Sequence, residues 1–342
     1  MSNRGQGESA SPAIYVEHLR KEYRDKVAVE DLSLQVERGE VFGFLGPNGA
    51  GKTTTIKMLN GLVRPTSGRL SVLGRPLGDM EARRRIGFLP EQFRFHEWLR
   101  AEEFLDFHGS LYGLSRSERR QRIPEALTLV GLEGRARSRL RTFSKGMLQR
   151  IGIAQAVIAD PLLVFLDEPT SALDPLGRRD VRDIIRRLQG QGVTVFLNSH
   201  LLSEVEAVCD RVAIIKDGRV AAMGPKQELL GGEHAVEVRL SRPPEELLQT
   251  LRASYSVLSI RSESQGAVAS ADGQARSTSL SPTATEAGPG GQVRVSVALS
   301  EEDVPDLVSR LTGAGVRIYE VAIRQRSLED LFVDIVQVGG DR

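Results

Sequence analysis

Gly46-Pro47-Asn48-Gly49-Ala50-Gly51-Lys52-Thr53 follows the apolar stretch Val41 to Leu45 and runs into the helical pattern Thr54 to Leu62. The run fits G-x-x-x-x-G-K-S/T. Its glycines let the backbone curl so that successive N–H groups and the next helix N-terminus converge on the β- and γ-phosphates of a nucleotide. Lys52 adds positive charge on those phosphates, and the Thr53 hydroxyl can ligate magnesium. Asn48, Ala50 and Thr54 complete the segment that contacts the nucleotide. An ordinary glycine-rich turn is the rival reading, and a strand before and a helix after count against it. A second run, Leu162 to Leu166, ends in Asp167 and Glu168. Ligands of open parallel sheets lie at the carboxyl ends of strands, so Asp167 can reach the magnesium shell and Glu168 can act on a water. Acidic residues also end strands for purely structural reasons; the phosphate loop in the same chain favours the chemical role.

The elements that must hold these residues follow from the patterning. From Ile14 to about Leu230 short β-branched runs alternate with longer helical patterns, as in an α/β sheet domain. Val41 to Leu45, Leu162 to Leu166, Val193 to Asn198 and Arg211 to Lys216 read as strands, mostly apolar throughout, which suits parallel strands covered on both faces. Between about Glu97 and Asp160 charged helical segments take over, which predicts an inserted helical subdomain. The expected organisation is a tail over 1–12, an ATPase domain over 13–232 and a small α+β domain over 233–342. In the last, strands are read at HAVEVRL, QVRVSVAL and RIYEVAIRQ, and helices at PPEELLQTLRA, EEDVPDLVSRLTGAG and SLEDLFVDIV. Residues 262–292 are rich in Ser, Gly, Ala and Thr, with Val268 and Leu280 as their large apolar residues. Too little can be buried there to offset ordering, so a disordered insertion joining a helix to a strand is expected.

A chain of 342 residues is long for a single core. Its 46 basic and 45 acidic side chains leave a formal net charge of +1, which argues against a dedicated nucleic-acid binder. With 40% hydrophobic and 27% charged residues and a mean hydropathy of −0.22, the composition is that of a globular protein. The single cysteine, Cys209, excludes an intramolecular disulfide or a multi-thiolate zinc site. No apolar run approaches a spanning helix, so a membrane role needs another chain. The polar start, MSNRGQGESASP, reads as a tail with no secretion signal, which places the chain in the cytoplasm.

The phosphate loop, LLVFLDEP, the following SALDP and the intervening RTFSKGMLQRIGIAQAVIADP resemble the nucleotide-binding subunit of an ABC transporter over about residues 13–230. The resemblance implies a P-loop NTPase fold and further site residues. Phe143-Ser144-Lys145-Gly146-Met147 stands where the family's signature segment grips the γ-phosphate bound to the opposite subunit. Ser144 and Gly146 match; Lys145 and Met147 depart from the usual pattern. Tyr23 resembles the aromatic on which adenine stacks, with a buried structural tyrosine as the rival reading. Gln92, in FLPEQF, resembles the glutamine that contacts magnesium and the attacking water and links to the membrane subunit. Asp174 resembles the loop that communicates across the dimer. His200, which follows VTVFLNS, resembles the histidine that holds the γ-phosphate. Phe93, Phe95 and Trp98 read equally as core or as the groove that receives a membrane partner's helix.

What the resemblance implies is an ATPase that binds ATP and Mg2+ between two copies of itself, joined head to tail as a homodimer, and that powers separate transmembrane permease subunits from the cytoplasmic side of the membrane. Catalysis falls to Glu168, His200 and Gln92, and magnesium to Thr53, Gln92 and Asp167. The tail SLEDLFVDIV resembles that of drug-resistance, polysaccharide and gliding exporters. The alternatives are an importer with a C-terminal ligand-sensing domain and a soluble ABC-type ATPase outside transport.

Overall fold

The computed structural model describes residues 11–24, 26–171, 173–230, 234–263, 292–325 and 327–337. They form two compact units, one comprising residues up to Leu229 together with those from Leu328 onward, the other Leu230–Ser327.

Near-continuous apolar runs form the centre of the first unit. Strands Ile86–Leu89, Leu163–Asp167, Thr194–Asn198, Val41–Leu45 and Arg211–Lys216 lie side by side in that order, all parallel. All five residues are buried in each of Val41–Leu45, Leu163–Asp167 and Thr194–Asn198, as strands covered on both faces require. Phe42, Phe44 and Phe165 surround Phe196, with ring centroids 5.7, 5.2 and 5.3 Å away. Arg219–Pro225 pairs antiparallel on Arg211–Lys216 and leads into the antiparallel strands Lys26–Val36, Ile14–Tyr23, Ser67–Val72 and Arg75–Pro76, completing a ten-stranded sheet.

Residues 97–160 carry helices Ala101–Leu111, Arg116–Leu129 and Lys145–Val157. The second starts at a reciprocal cap: Ser115 Oγ accepts from the Glu118 N–H at 3.3 Å, and Glu118 Oε2 accepts from the Ser115 N–H at 2.7 Å.

The second unit runs strand His234–Ser241, helix Glu245–Ser254, strands Ser256–Glu263 and Gln292–Leu299, helix Val304–Gly313 and strand Ile318–Gln325. In space Ser256–Glu263 and His234–Ser241 flank Gln292–Leu299, and Ile318–Gln325 takes the other edge of His234–Ser241, all antiparallel. This is the split βαβ arrangement. Val236, Val238 and Leu240 face Val297, Val295 and Val293 across the register, and Leu251, Leu307 and Leu311 from the two helices close over them.

Three expectations are corrected. Ser256–Glu263 is a strand that the pattern did not reveal. The expected insertion over 262–292 therefore joins two strands, with Ser262, Glu263 and Gln292 paired; residues 264–291 lie outside the described residues, as do 1–10 of the expected tail. The final helix, Leu328–Gln337, packs with the first unit instead of the C-terminal domain, because its buried Leu328 and both of its ends find partners there.

Candidate nucleotide site

The phosphate loop joins Val41–Leu45 to helix Lys52–Leu59. Gly51, at φ +101°, adopts a backbone that L side chains rarely take, and a Cβ there would stand 2.5 Å from the Ala28 carbonyl oxygen. A Cβ on Gly46 would meet the Ile215 carbonyl oxygen, also at 2.5 Å, so glycine is required for close packing at both ends. Lys52 Nζ donates to the carbonyls of Gly46 at 2.6 Å and Pro47 at 3.1 Å, which folds the ammonium over its own loop. Burial pushes the Lys52 pKa down, against the opposing charges of Glu168, Asp167 and Glu91.

The two carboxylates sit where neighbouring strands end. Asp167 is paired in register with Asn198, whose Nδ2 donates to Asp167 Oδ1 at 2.6 Å. Glu168 turns into the left-handed region at φ 54°, and its N–H donates to the Asn198 carbonyl at 2.8 Å. That turn brings its carboxylate 2.7 Å from His200 Nδ1. The approach lies off the direction of an aligned ring hydrogen bond, so Glu168 Oε2 is buried without a directed donor. Burial raises the pKa of both carboxyls; the Asn198 bond opposes this at Asp167, and His200 opposes it at Glu168. Glu168 is 8% exposed while His200 is 57% exposed, so a sheltered carboxylate stands beside an open imidazole.

A cleft of about 510 Å3, within the range of small-molecule sites, runs over Lys52, Glu168 and His200; Asp167 is buried and is not among its lining residues. Asn48, Gly49, Gly51, Lys52, Thr53, Thr54, Glu168 and His200, all singled out in the sequence, line it. Gln92 does not: it is exposed, and the lining residue is its neighbour Glu91, whose charge acts on Asp167 and Lys52. Asn198 and Lys26 also line the cleft and were missed. Lys26 stands three residues after Tyr23 in the next strand, but a single surface lysine carries no signal in sequence. Gly46 and the buried Ala50 shape the loop from behind. Tyr23 is not among the lining residues; it is 44% exposed, with Lys21 Nζ over its ring 4.7 Å from the centroid.

Ser144, Gly146 and Asp174 are not among the cleft's lining residues. Ser144 caps helix Lys145–Val157, its Oγ accepting from the Met147 N–H at 3.3 Å, and Asp174 caps Pro175–Gly190, accepting from the Gly177 N–H at 2.9 Å. Both are exposed. Their own chain does not bring them to the phosphate loop.

The donor set fits a magnesium nucleotide. Thr53, Asp167 and Glu91 offer hard oxygen donors, and Asn198 Oδ1 is buried without a partner. Among the described residues no cluster of three or more His, Cys, Asp or Glu could hold a metal.

The family described as ABC transporter matches residues 29–171. The linearmycin resistance ATP-binding protein LnrL of Bacillus subtilis is 33% identical over 327 residues, covering 94% of this chain and 97% of that protein. The Nod factor export ATP-binding protein I of Cupriavidus pinatubonensis is 38% identical over 250 residues, 72% of this chain and 76% of its own length. Among solved structures, a dimeric ATP-binding cassette in a post-hydrolysis state, bound to ADP and Pi, aligns with a TM-score of 0.57 and 26% identity over 63% of this chain and 99% of that one. With a phosphate loop, two carboxylates and a histidine converging on one cleft, and full-length similarity to LnrL, the chain belongs to the ABC transporter ATP-binding proteins, the ATPase subunits of ABC transporters.

Proposed function

We propose that this ATPase drives an exporter, working as a head-to-tail homodimer on permease subunits from the cytoplasmic face of a membrane. The observation that carries the reading is the convergence of Lys52, Asp167, Glu168 and His200 at the carboxyl ends of adjacent strands. Lys52 and the loop N–H groups hold the β- and γ-phosphates, and the exposed Tyr23 stacks on adenine. Thr53 and Asp167 hold Mg2+, with Glu91 taking the place expected of Gln92. When bound, the ion neutralises phosphate charge. Glu168 takes a proton from, or orients, the attacking water; burial raises its pKa, which makes it a stronger base than an exposed carboxylate. His200 holds the γ-phosphate and keeps Glu168 aligned.

Ser144 and Gly146 act on the nucleotide of the second copy, and Asp174 faces across that interface; their exposure and their separation from the cleft support a site shared by two chains. The related solved structure is itself a dimer. Export is supported by the likeness to a resistance protein and to a Nod factor export protein. No helix among the described residues is long and apolar enough to cross a membrane, so a permease must supply the path. Trp98, Phe107 and Leu111, 67%, 44% and 67% exposed, offer that partner an apolar surface just beyond Glu91. Phe93 and Phe95 belong to a packed aromatic cluster with Phe104.

Glu168→Gln tests the reading: turnover should fall by about 10²- to 10⁴-fold while ATP binding persists and an ATP-held dimer accumulates in sedimentation. Near-normal turnover would remove Glu168 from catalysis. By likeness to the resistance protein, cells carrying this variant should become hypersensitive to an antibiotic; unchanged tolerance with failed growth on a limiting nutrient would favour import.

A further inference from the structure

The segment after His200 is a short helix, Leu202–Val208, whose N-terminus has no side-chain cap. Seven residues are too few to be stable as an isolated helix, so its position depends on its neighbours. Arg182 bonds the buried Glu204 at 2.8 Å, Arg186 Nη2 donates to the Ala207 carbonyl at 3.2 Å, and Lys226 Nζ donates to the Glu206 carbonyl. A further hold comes from the end of the chain. Glu206 Oε2 accepts from the Leu328 N–H at 3.1 Å, placing a carboxylate on the N-terminus of the final helix. At the other end of that helix Lys216 Nζ donates to the carbonyls of Ile335 and Val336, both at 2.9 Å, placing a cation on its C-terminus. Leu328 is fully buried at the first of these contacts.

Both anchors lead to the nucleotide cleft. Glu206 lies on the helix that starts two residues after His200. Lys216 ends the strand paired with Val41–Leu45, and the turn beyond it backs the phosphate loop, with the Gly218 N–H donating to the Ala50 carbonyl at 3.2 Å. The chain leaves the ATPase unit after Leu229 and re-enters it at Leu328, so Leu230–Ser327 is an insertion whose return link is this helix.

We propose that the final helix, Leu328–Gln337, is a positioning element of the ATPase site: clasped by Glu206 and Lys216, it holds the helix after His200, and thereby His200, against the Glu168 carboxylate. The proposal rests on His200 serving hydrolysis. Losing the clasp leaves the phosphate loop's own bonds intact, so it lowers kcat while KM for ATP stays put.

The test uses the full chain with Glu206→Ala, Lys216→Met, the double variant, and Glu206→Gln, which keeps an acceptor for the Leu328 N–H. The double variant should lose about tenfold in kcat with KM for ATP changed by less than about twofold. Amide exchange over Leu202–Val208 should quicken, while Glu206→Gln should stay near the parent in both. His200→Ala serves as the separate control, with an expected loss of about 100-fold. Parent-like kcat in the double variant beside a crippled His200→Ala overturns the positioning role alone. Parent-like kcat in His200→Ala overturns the reading of His200, and unchanged exchange in the double variant then overturns the clasp as well. A KM that rises in step with the fall in kcat, or a Glu206→Gln as impaired as Glu206→Ala, also overturns it.

Discussion

His108, on helix Ala101–Leu111, offers a stability test whose size follows from its surroundings. Its ring lies 4.5 Å from Phe104, 5.3 Å from Phe107 and 5.9 Å from Phe93, and its Nε2 is buried with no hydrogen-bond partner. Burial, reinforced by the nearby His96, lowers its pKa from 6.5 to about 4. Below the higher value the unfolded chain takes up a proton that the folded chain refuses. Stability is therefore complete above about pH 6.5 and is lost as the pH falls towards 4. At 1.36 kcal/mol per pH unit the whole window is worth at most about 3 kcal/mol, which the ring's partial exposure reduces to about 1–2. Between about pH 7.5 and about pH 5, near 1 kcal/mol should be read. The single tryptophan, Trp98, with its ring 5.3 Å from His96, reports unfolding of this region. Urea melts of the nucleotide-free protein at the two pH values, compared with those of His108→Phe, isolate this residue from the carboxylates that titrate alongside it. The variant should lose about 1 kcal/mol less on acidification. Coincident pH dependences, or an NMR titration placing His108 near 6.5, would refute the reasoning.

Gly51→Ala adds a Cβ 2.5 Å from the Ala28 carbonyl at a left-handed φ; thermal melting should show a loss of about 2–4 kcal/mol together with lost ATP binding, and a parent-like melt would contradict the strain. Tyr23→Ala should weaken ATP binding by about 1 kcal/mol, or several-fold, in a direct titration, with Tyr23→Trp tolerated; unchanged affinity for the alanine variant would return Tyr23 to a structural role. Mixing Lys52→Ala with Ser144→Arg subunits should restore turnover that neither homodimer has, since each heterodimer contains one intact site; no recovery despite demonstrated heterodimers would count against a site shared by two chains.

The phosphate loop and the Asp167–Glu168 pair were legible in the sequence because their chemistry is local. Glycines at positive φ, a lysine at the start of a helix and carboxylates at the end of an apolar strand are set by neighbours within a few residues. The same holds for the strands, whose β-branched runs announce burial on both faces. The choice between Glu91 and Gln92 was not local. Adjacent residues on a loop point different ways, and only the folded loop decides that Glu91 and not Gln92 faces the cleft.

Strand Ser256–Glu263 escaped notice because its Ser, Arg and Glu residues dilute the apolar alternation; its pairing with Gln292–Leu299 makes it a strand. The final helix shows the division most clearly. Leu328, Leu331, Phe332 and Ile335 announce an apolar face in sequence, but such a face specifies only that something covers it. Its partners, Glu206 and Lys216, stand 122 and about 120 residues earlier in the chain, beyond an intervening domain. Hydrophobic periodicity carries no directional information over that distance; closing the chain and pairing the helix's two ends with opposite charges did, and so tertiary structure alone assigned the helix to the ATPase.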